Sequence, residues 1–181
     1  AGPVVAAAVL LRRARLPVRV DDSKRLTPRQ RERAFHVILD SAEVGIGIVC
    51  AESIDRVNIF QATLLAMRQA IADLPSPPEL VLIDGSHTPQ ASVPCRAVIG
   101  GDQSCYSISC ASIIAKVLRD GLMRFYDRLY PGYALDEHKG YGTPAHARWL
   151  RERGPCFLHR LTYRPVRDVR DAQPTAAAAP S

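Results

Sequence analysis

Lysine is almost missing from this chain. Of its 24 basic residues only Lys24, Lys116 and Lys139 are lysines, and arginine supplies the rest. The three stand in DDSK, SIIAK and HKGYG. Either their placement is chance, or these segments want a compact, strongly hydrated ammonium instead of a wide guanidinium fork. Cysteine pairing motifs are missing as well. Cys50, Cys95, Cys105, Cys110 and Cys156 form no CxxC and no metal-ligand spacing, which excludes a zinc ribbon and argues against a disulfide framework. Free thiols in a reducing compartment are the expectation. No apolar run approaches the ~20 residues of a membrane-spanning helix, since the longest, Val4 to Leu11, has eight. Arg12 and Arg13 follow that run instead of preceding it, the wrong order for a signal peptide. The cytoplasm is therefore the expected location. No internal repeat is found, which excludes a solenoid.

What remains is an ordinary globular composition. The chain has 181 residues, 47% hydrophobic and 23% charged, with a formal net charge of +6. That length fits one domain able to bury a core, and the basic excess mildly favours a polyanionic partner. Val4–Leu11 reads as a buried strand and Val18–Val20 as a second one ending at Asp21-Asp22-Ser23-Lys24. Thr27 followed by Pro28 starts a helix to about Ala42. Residues 44–51 read as a strand weakened by its glycines, and Ser53 as the cap of an amphipathic helix to Leu74. Leu80–Ile83 and Cys95–Ile99 are short strands, and a long helix spans about Ser107 to Tyr130. The succession predicts α/β layering. Residues 1–168 are expected to form the domain and 169–181 a disordered, low-complexity tail.

Two apolar strands each run into an aspartate flanked by glycine, Asp84 in LIDG and Asp102 in IGGD. Ligands of open α/β sheets bind at this edge. Two acids held there repel each other unless a cation sits between them, and oxygen-only ligation favours Mg²⁺ or Mn²⁺ over zinc. Either aspartate could instead cap a turn or helix. Asp21 and Asp22 could form a second acidic pair, although turn chemistry is the preferred reading. Lys116 and Asp120 are spaced for an exposed ion pair. Tyr141, between two glycines, presents a ring able to stack on a sugar or base. His36, His87 and His146 carry no pattern and read as surface or loop residues.

Together these segments resemble the ribonuclease HII family. The resemblance rests on AGPVVAAAV, DDSKRLT, IDRVNIFQATLLAM, LIDG, GD with SISCASIIAKVLRD, PGY with HKGYGT, and GPCFLHR, in that order over about residues 1–166. It implies an RNase H-like fold with a central mixed sheet flanked by helices. It also implies cleavage of the RNA strand of RNA–DNA hybrids, and at ribonucleotides embedded in duplex DNA, by a monomer using two divalent ions. Asp84 and Asp102 match the third and fourth catalytic and metal-binding carboxylates. Tyr141 matches the tyrosine on the sugar at the RNA-to-DNA junction, and Lys24, Lys116 and Lys139 are assigned to substrate binding. Family members carry a DEAGRGPL-like strand, central in the sheet, just ahead of the segment that opens this sequence. A partial sequence is the preferred explanation for its absence; a chain truly lacking it is expected to be catalytically dead. The family often has lysines where Gly100 and Ser104 stand, which implies a weaker grip on substrate. The competing reading is a non-catalytic nucleic-acid binder of the same fold. A small-molecule metal phosphatase has only the two aspartates in its favour.

Overall fold

The computed structural model describes residues 1–172. Its order is β1 (Val4–Leu11), α1 (Pro28–Ser41), β2 (Ala42–Val49), α2 (Ala51–Ala72), β3 (Val81–Asp84), β4 (Cys95–Val98), α3 (Gly101–Ser104), α4 (Tyr106–Leu129), α5 (Leu135–His138), α6 (Pro144–Arg153) and α7 (Arg164–Ala172). Expected α/β layering is present, but the described strands pair two and two. β1 and β2 are antiparallel, with Val4 opposite Val49 and Leu11 opposite Ala42. β3 and β4 are parallel, with Val81 opposite Cys95.

Alternation along β1 sets the layers. Ala7, Val9 and Leu11 face Ala34 and Ile38 of α1 and Cys110, Ile113 and Ile114 of α4. Val4 and Ala6 point the other way, onto Ile54, Ala62 and Ala66 of α2. That period of two puts a helical layer on each face of β1, although all eight of its residues, expected to be buried, are only half-buried. The β2 glycines are a requirement of the packing and not a weakness. A Cβ on Gly47 would collide with the Ala66 carbonyl, and one on Gly45 with that of Ala70. Helix α2 therefore lies directly against the β2 backbone.

Several local expectations change. Val18–Val20 is no strand; Val18 and Val20 pack on the α1–α4 core as an extended lead-in to the DDSK turn. Thr27 caps α1 in a full capping box with Gln30. Helix α2 starts after Cys50, not Ser53, and breaks at Asn58, whose φ of 67° and ψ of 166° are non-helical. The Asn58 carboxamide accepts from the Gln61 amide at 3.0 Å and restarts the helix. Helix α7 includes residues 169–172, so the expected tail begins no earlier than 173, and 173–181 lie outside the described residues.

An apolar groove of about 360 Å³ runs between the two sheets. Every residue of β1 and β3 lines it, with Thr63, Met67 and Ile71 of α2 on one side and Ile108, Ala111 and Ala115 of α4 on the other.

Two glycines test this packing with opposite signs. Gly47→Ala is expected to lower stability by about 1–3 kcal/mol, because the methyl has no space. Gly121, mid-helix in α4, has only the Arg124 guanidinium tip 3.9 Å from an added Cβ. Gly121→Ala is expected to raise stability by roughly 0.5–1 kcal/mol. Chemical denaturation of both variants checks the pair.

Candidate active site at the ends of β3 and the face of α4

Asp84 is the last residue of β3, and Asp102 lies in the single turn of α3. One hydrogen bond ties them together: Asp84 Oδ1 accepts from the Gly101 amide at 2.9 Å. The turn is cramped on its inner side, where a Cβ on Gly101 would meet Ile108. Outward, Gly85 (φ 110°) and Gly100 (φ 66°) have open space around them. Both acids thus face a surface that a large ligand can approach closely.

Positive charge arrives from the DDSK turn. Lys24 Nζ lies 3.4 Å from Asp102 Oδ2 and 3.9 Å from Asp22 Oδ1. Asp21 and Asp22 shape that turn: Asp22 Oδ1 accepts from the Lys24 amide, and Asp21 Oδ1 from the Asp22 amide. Hydrogen bonding from Arg19 holds the Asp21 carboxyl below its ordinary range. Arg31 donates to the carbonyls of Ser23 and Leu26, which fixes the turn against α1.

Helix α4 holds these parts on one face. Ser109 Oγ donates to the Asp102 carbonyl at 2.9 Å, and Ser112 Oγ meets Ser23 Oγ at 3.0 Å. Further along, Lys116 Nζ lies 5.6 Å and the Arg119 guanidinium 4.9 Å from the centre of the Tyr141 ring. Positions 109, 112, 116 and 119 fall three or four apart, so they form one stripe. At 1.5 Å per residue the stripe is about 15 Å long, roughly four base steps at 3.4 Å each. Tyr141 stays 55% exposed on this surface, with cations beside its ring.

Sequence reading and structure part at three places. Lys116 and Asp120 are not an exposed pair: the bond is 2.9 Å, and the two side chains are 25% and 13% exposed. Lys139, the residue that caps α5, donates to the Asp136 carbonyl of that helix. His146 is buried, not on the surface, and packs with His138 and His159 behind the Tyr141 loop. The sequence puts Arg119, one turn after Lys116, only on the expected exposed ion-pair face; the histidine cluster, its members 8 and 13 residues apart, has no sequence signal.

The donor set can be tested against a metal. Two carboxylates with no thiolate or imidazole beside them suit a hard cation, and Mg²⁺ usually keeps several waters alongside one or two carboxylates. Among the described residues no group of three or more His, Cys, Asp or Glu could enclose an ion. Asp84 and Asp102 therefore fit one divalent ion in kind, and a second would need further oxygen donors.

Comparison with known proteins gives this geometry its context. The family model described as Ribonuclease HII matches residues 1–166. A ribonuclease HII from Chlamydia abortus is 48% identical over 171 residues, covering 93% of this chain and 80% of that protein. Among solved structures, ribonuclease H2 from Pyrococcus horikoshii OT3 superposes with a TM-score of 0.73 at 21% identity, covering 92% of this chain and 97% of that one. Bst-RNase HIII in complex with Mn²⁺ has a TM-score of 0.58 at 18% identity, over 83% of this chain and 57% of that one. These structural likenesses show the RNase H-like fold.

Stability of the Lys116–Asp120 pair separates a buried bridge from a surface one. Lys116→Ala is expected to cost about 2–3 kcal/mol, short of the roughly 3–5 of a fully buried pair. Arg56→Ala, which breaks the exposed Glu52–Arg56 pair, should cost about 0.5 kcal/mol. Thermal unfolding of both variants measures the difference. With the family model matched over 166 residues and nearly half of the residues shared with a curated relative, this chain belongs to the ribonuclease HII family.

Proposed function

We propose that this chain is an endonuclease that cuts the RNA strand of RNA–DNA hybrids and at ribonucleotides embedded in duplex DNA. One observation carries the reading. Asp84 and Asp102 share a hydrogen-bonded frame at a sheet edge, and the face of α4 that braces this frame also supports the exposed Tyr141.

Asp84 and Asp102 hold the cation end of the site, as Mg²⁺ or Mn²⁺ ligands. Bound divalent ions supply an activated water and offset charge on the leaving 3′ oxygen. The chain's own groups do the rest. Lys24 balances Asp102 while no cation is bound, and swings on an exposed stem toward a phosphate when one is. Tyr141 packs on the sugar, where a 2′-hydroxyl distinguishes the ribonucleotide from its deoxy neighbours. Lys116 and Arg119 keep its ring in place. Lys139, turned onto Asp136, would contribute to substrate grip only by releasing that carbonyl.

A second ion needs an acidic pair that these residues do not provide. The groove between β1 and β3 supports a place for it. The strand edges open there have backbone groups to satisfy. We place the enzyme in the cytoplasm as a monomer. Free cysteines at all five positions agree with a reducing compartment, and no described helix is long and apolar enough to cross a membrane.

The test is a DNA duplex with one embedded ribonucleotide, in Mg²⁺ or Mn²⁺. A chain extended at Ala1 by a DEAGRGPL segment is expected to cut on the 5′ side of the ribonucleotide, leaving a 5′-phosphate. Asp84→Asn in that background should lower the rate at least a thousandfold. Salt-sensitive binding with no product, even at high protein concentration, would favour a non-catalytic nucleic-acid binder.

A further inference from the structure

Behind the Tyr141 loop lie three histidines that the proposed cleavage does not use. His138, His146 and His159 are 8%, 6% and 2% exposed. His138 stacks on His146 with ring centroids 4.3 Å apart and 12° between the planes. His159 tilts against His146 at 5.2 Å. None stands within two residues of Asp84 or Asp102.

Their partners fix where each proton sits. A carbonyl only accepts, so the ring nitrogen facing it carries the hydrogen; a backbone amide only donates, so the ring nitrogen facing it is bare. His138 Nε2 faces the Tyr133 carbonyl at 2.7 Å, and its Nδ1 accepts from the Gly140 amide at 3.1 Å. His146 Nδ1 donates to the Tyr141 carbonyl at 2.9 Å. That leaves His146 Nε2 bare, to accept from His159 Nε2 at 3.0 Å. His159 Nδ1 in turn accepts from the Cys156 amide at 3.0 Å. Donation therefore runs one way, from Cys156 through His159 and His146 to Tyr141.

Each ring holds one proton and has no place for another. A second proton on His146 would set two N–H groups head to head, and one on His159 or His138 would meet a backbone N–H. Burial acts in the same direction, holding His146 and His159 down to about 4. The titratable groups that act on or pack against the His146 and His159 rings are the Cys156 thiol, Tyr133 and the Ala1 amine, with Arg119 and Arg160 beside that amine. No carboxylate among them could offset a charged imidazole.

We propose that His138, His146 and His159 are positioning residues: a relay of neutral imidazoles that fixes the Gly140–Tyr141 backbone and so aims the Tyr141 ring at the ribonucleotide sugar. The inference rests on Tyr141 contacting substrate. Because the folded chain holds His146 and His159 below their ordinary range, the relay is complete above about pH 6.5. It fails as the pH falls toward 4.

Two readouts on the whole chain test this separately from the function. Two-bond ¹H–¹⁵N NMR of labelled histidine should show His146 as the Nδ1–H form and His138 and His159 as Nε2–H forms at pH 7. Acidification from pH 6.5 to 4 should shift the Tyr141 amide together with the His146 and His159 rings. Fluorescence anisotropy without divalent metal compares a duplex holding one ribonucleotide with its all-DNA counterpart. His146→Phe fills the same space without the relay, and should lower that preference at least fivefold while leaving all-DNA affinity unchanged. His159→Gln retains a donor at the Nε2 position and should keep the preference within twofold. Other tautomers, or a folded His146→Phe with unmoved Gly140 and Tyr141 amides, would overturn the relay. If His146→Phe does not fold, a loss of preference of fivefold or more in His159→Gln would overturn it instead. A parent chain with no ribonucleotide preference, but with these tautomers and amide shifts, would overturn the reading of Tyr141 and leave the relay standing.

Discussion

Like charges brought to one edge of a sheet must be balanced, and most of what surrounds Asp84 and Asp102 follows from that constraint. Their frame is rigid because a backbone amide, not a mobile side chain, links the two residues. Balance comes from a mobile source, the 76%-exposed Lys24 side chain. An exposed ammonium is held weakly, which suits the proposed exchange for a cation and a phosphate. A guanidinium in its place would span both acids with a fixed fork and be slower to leave.

Helix α4 turns this local balance into a surface. Its inner face fills the core with Cys110, Ile113 and Ile114, while the next stripe round carries Ser109, Ser112, Lys116 and Arg119. The apolar packing that stabilises the domain therefore also fixes the spacing between the carboxylates and Tyr141. Burial sharpens the effect at Lys116 and Asp120, where a bridge shielded from water resists the fraying expected of an exposed pair. Histidines approach the same tyrosine from the opposite side, through the backbone and not the ring.

Much of this was legible in the sequence because it follows from local rules. A continuous apolar run located β1, the Thr27–Pro28 start located α1, and the run ending in LIDG placed Asp84 at a strand end, whereas Asp102 lies past the end of β4, in the turn of α3. What escaped depended on neighbours distant in the chain. Gly45 and Gly47 look like weaknesses in a strand until α2 is seen lying on them. Val18–Val20 has strand composition but pairs with no described strand. Asn58 breaks a helix whose hydrophobic pattern runs through unbroken. His146 and His159 meet only because α6 and the loop after it fold back on the Tyr141 segment.

We propose that Asp84 and Asp102 together form a cation site whose resting charge is balanced by Lys24, which sits 3.4 Å from Asp102. Mn²⁺ titration of the parent chain by calorimetry, beside Asp84→Asn, Asp102→Asn and Lys24→Ala, tests it most directly. Either carboxamide should weaken Mn²⁺ binding at least tenfold, and Lys24→Ala should leave it unchanged or tighter. Equal affinity in the parent and both carboxamide variants would contradict the account.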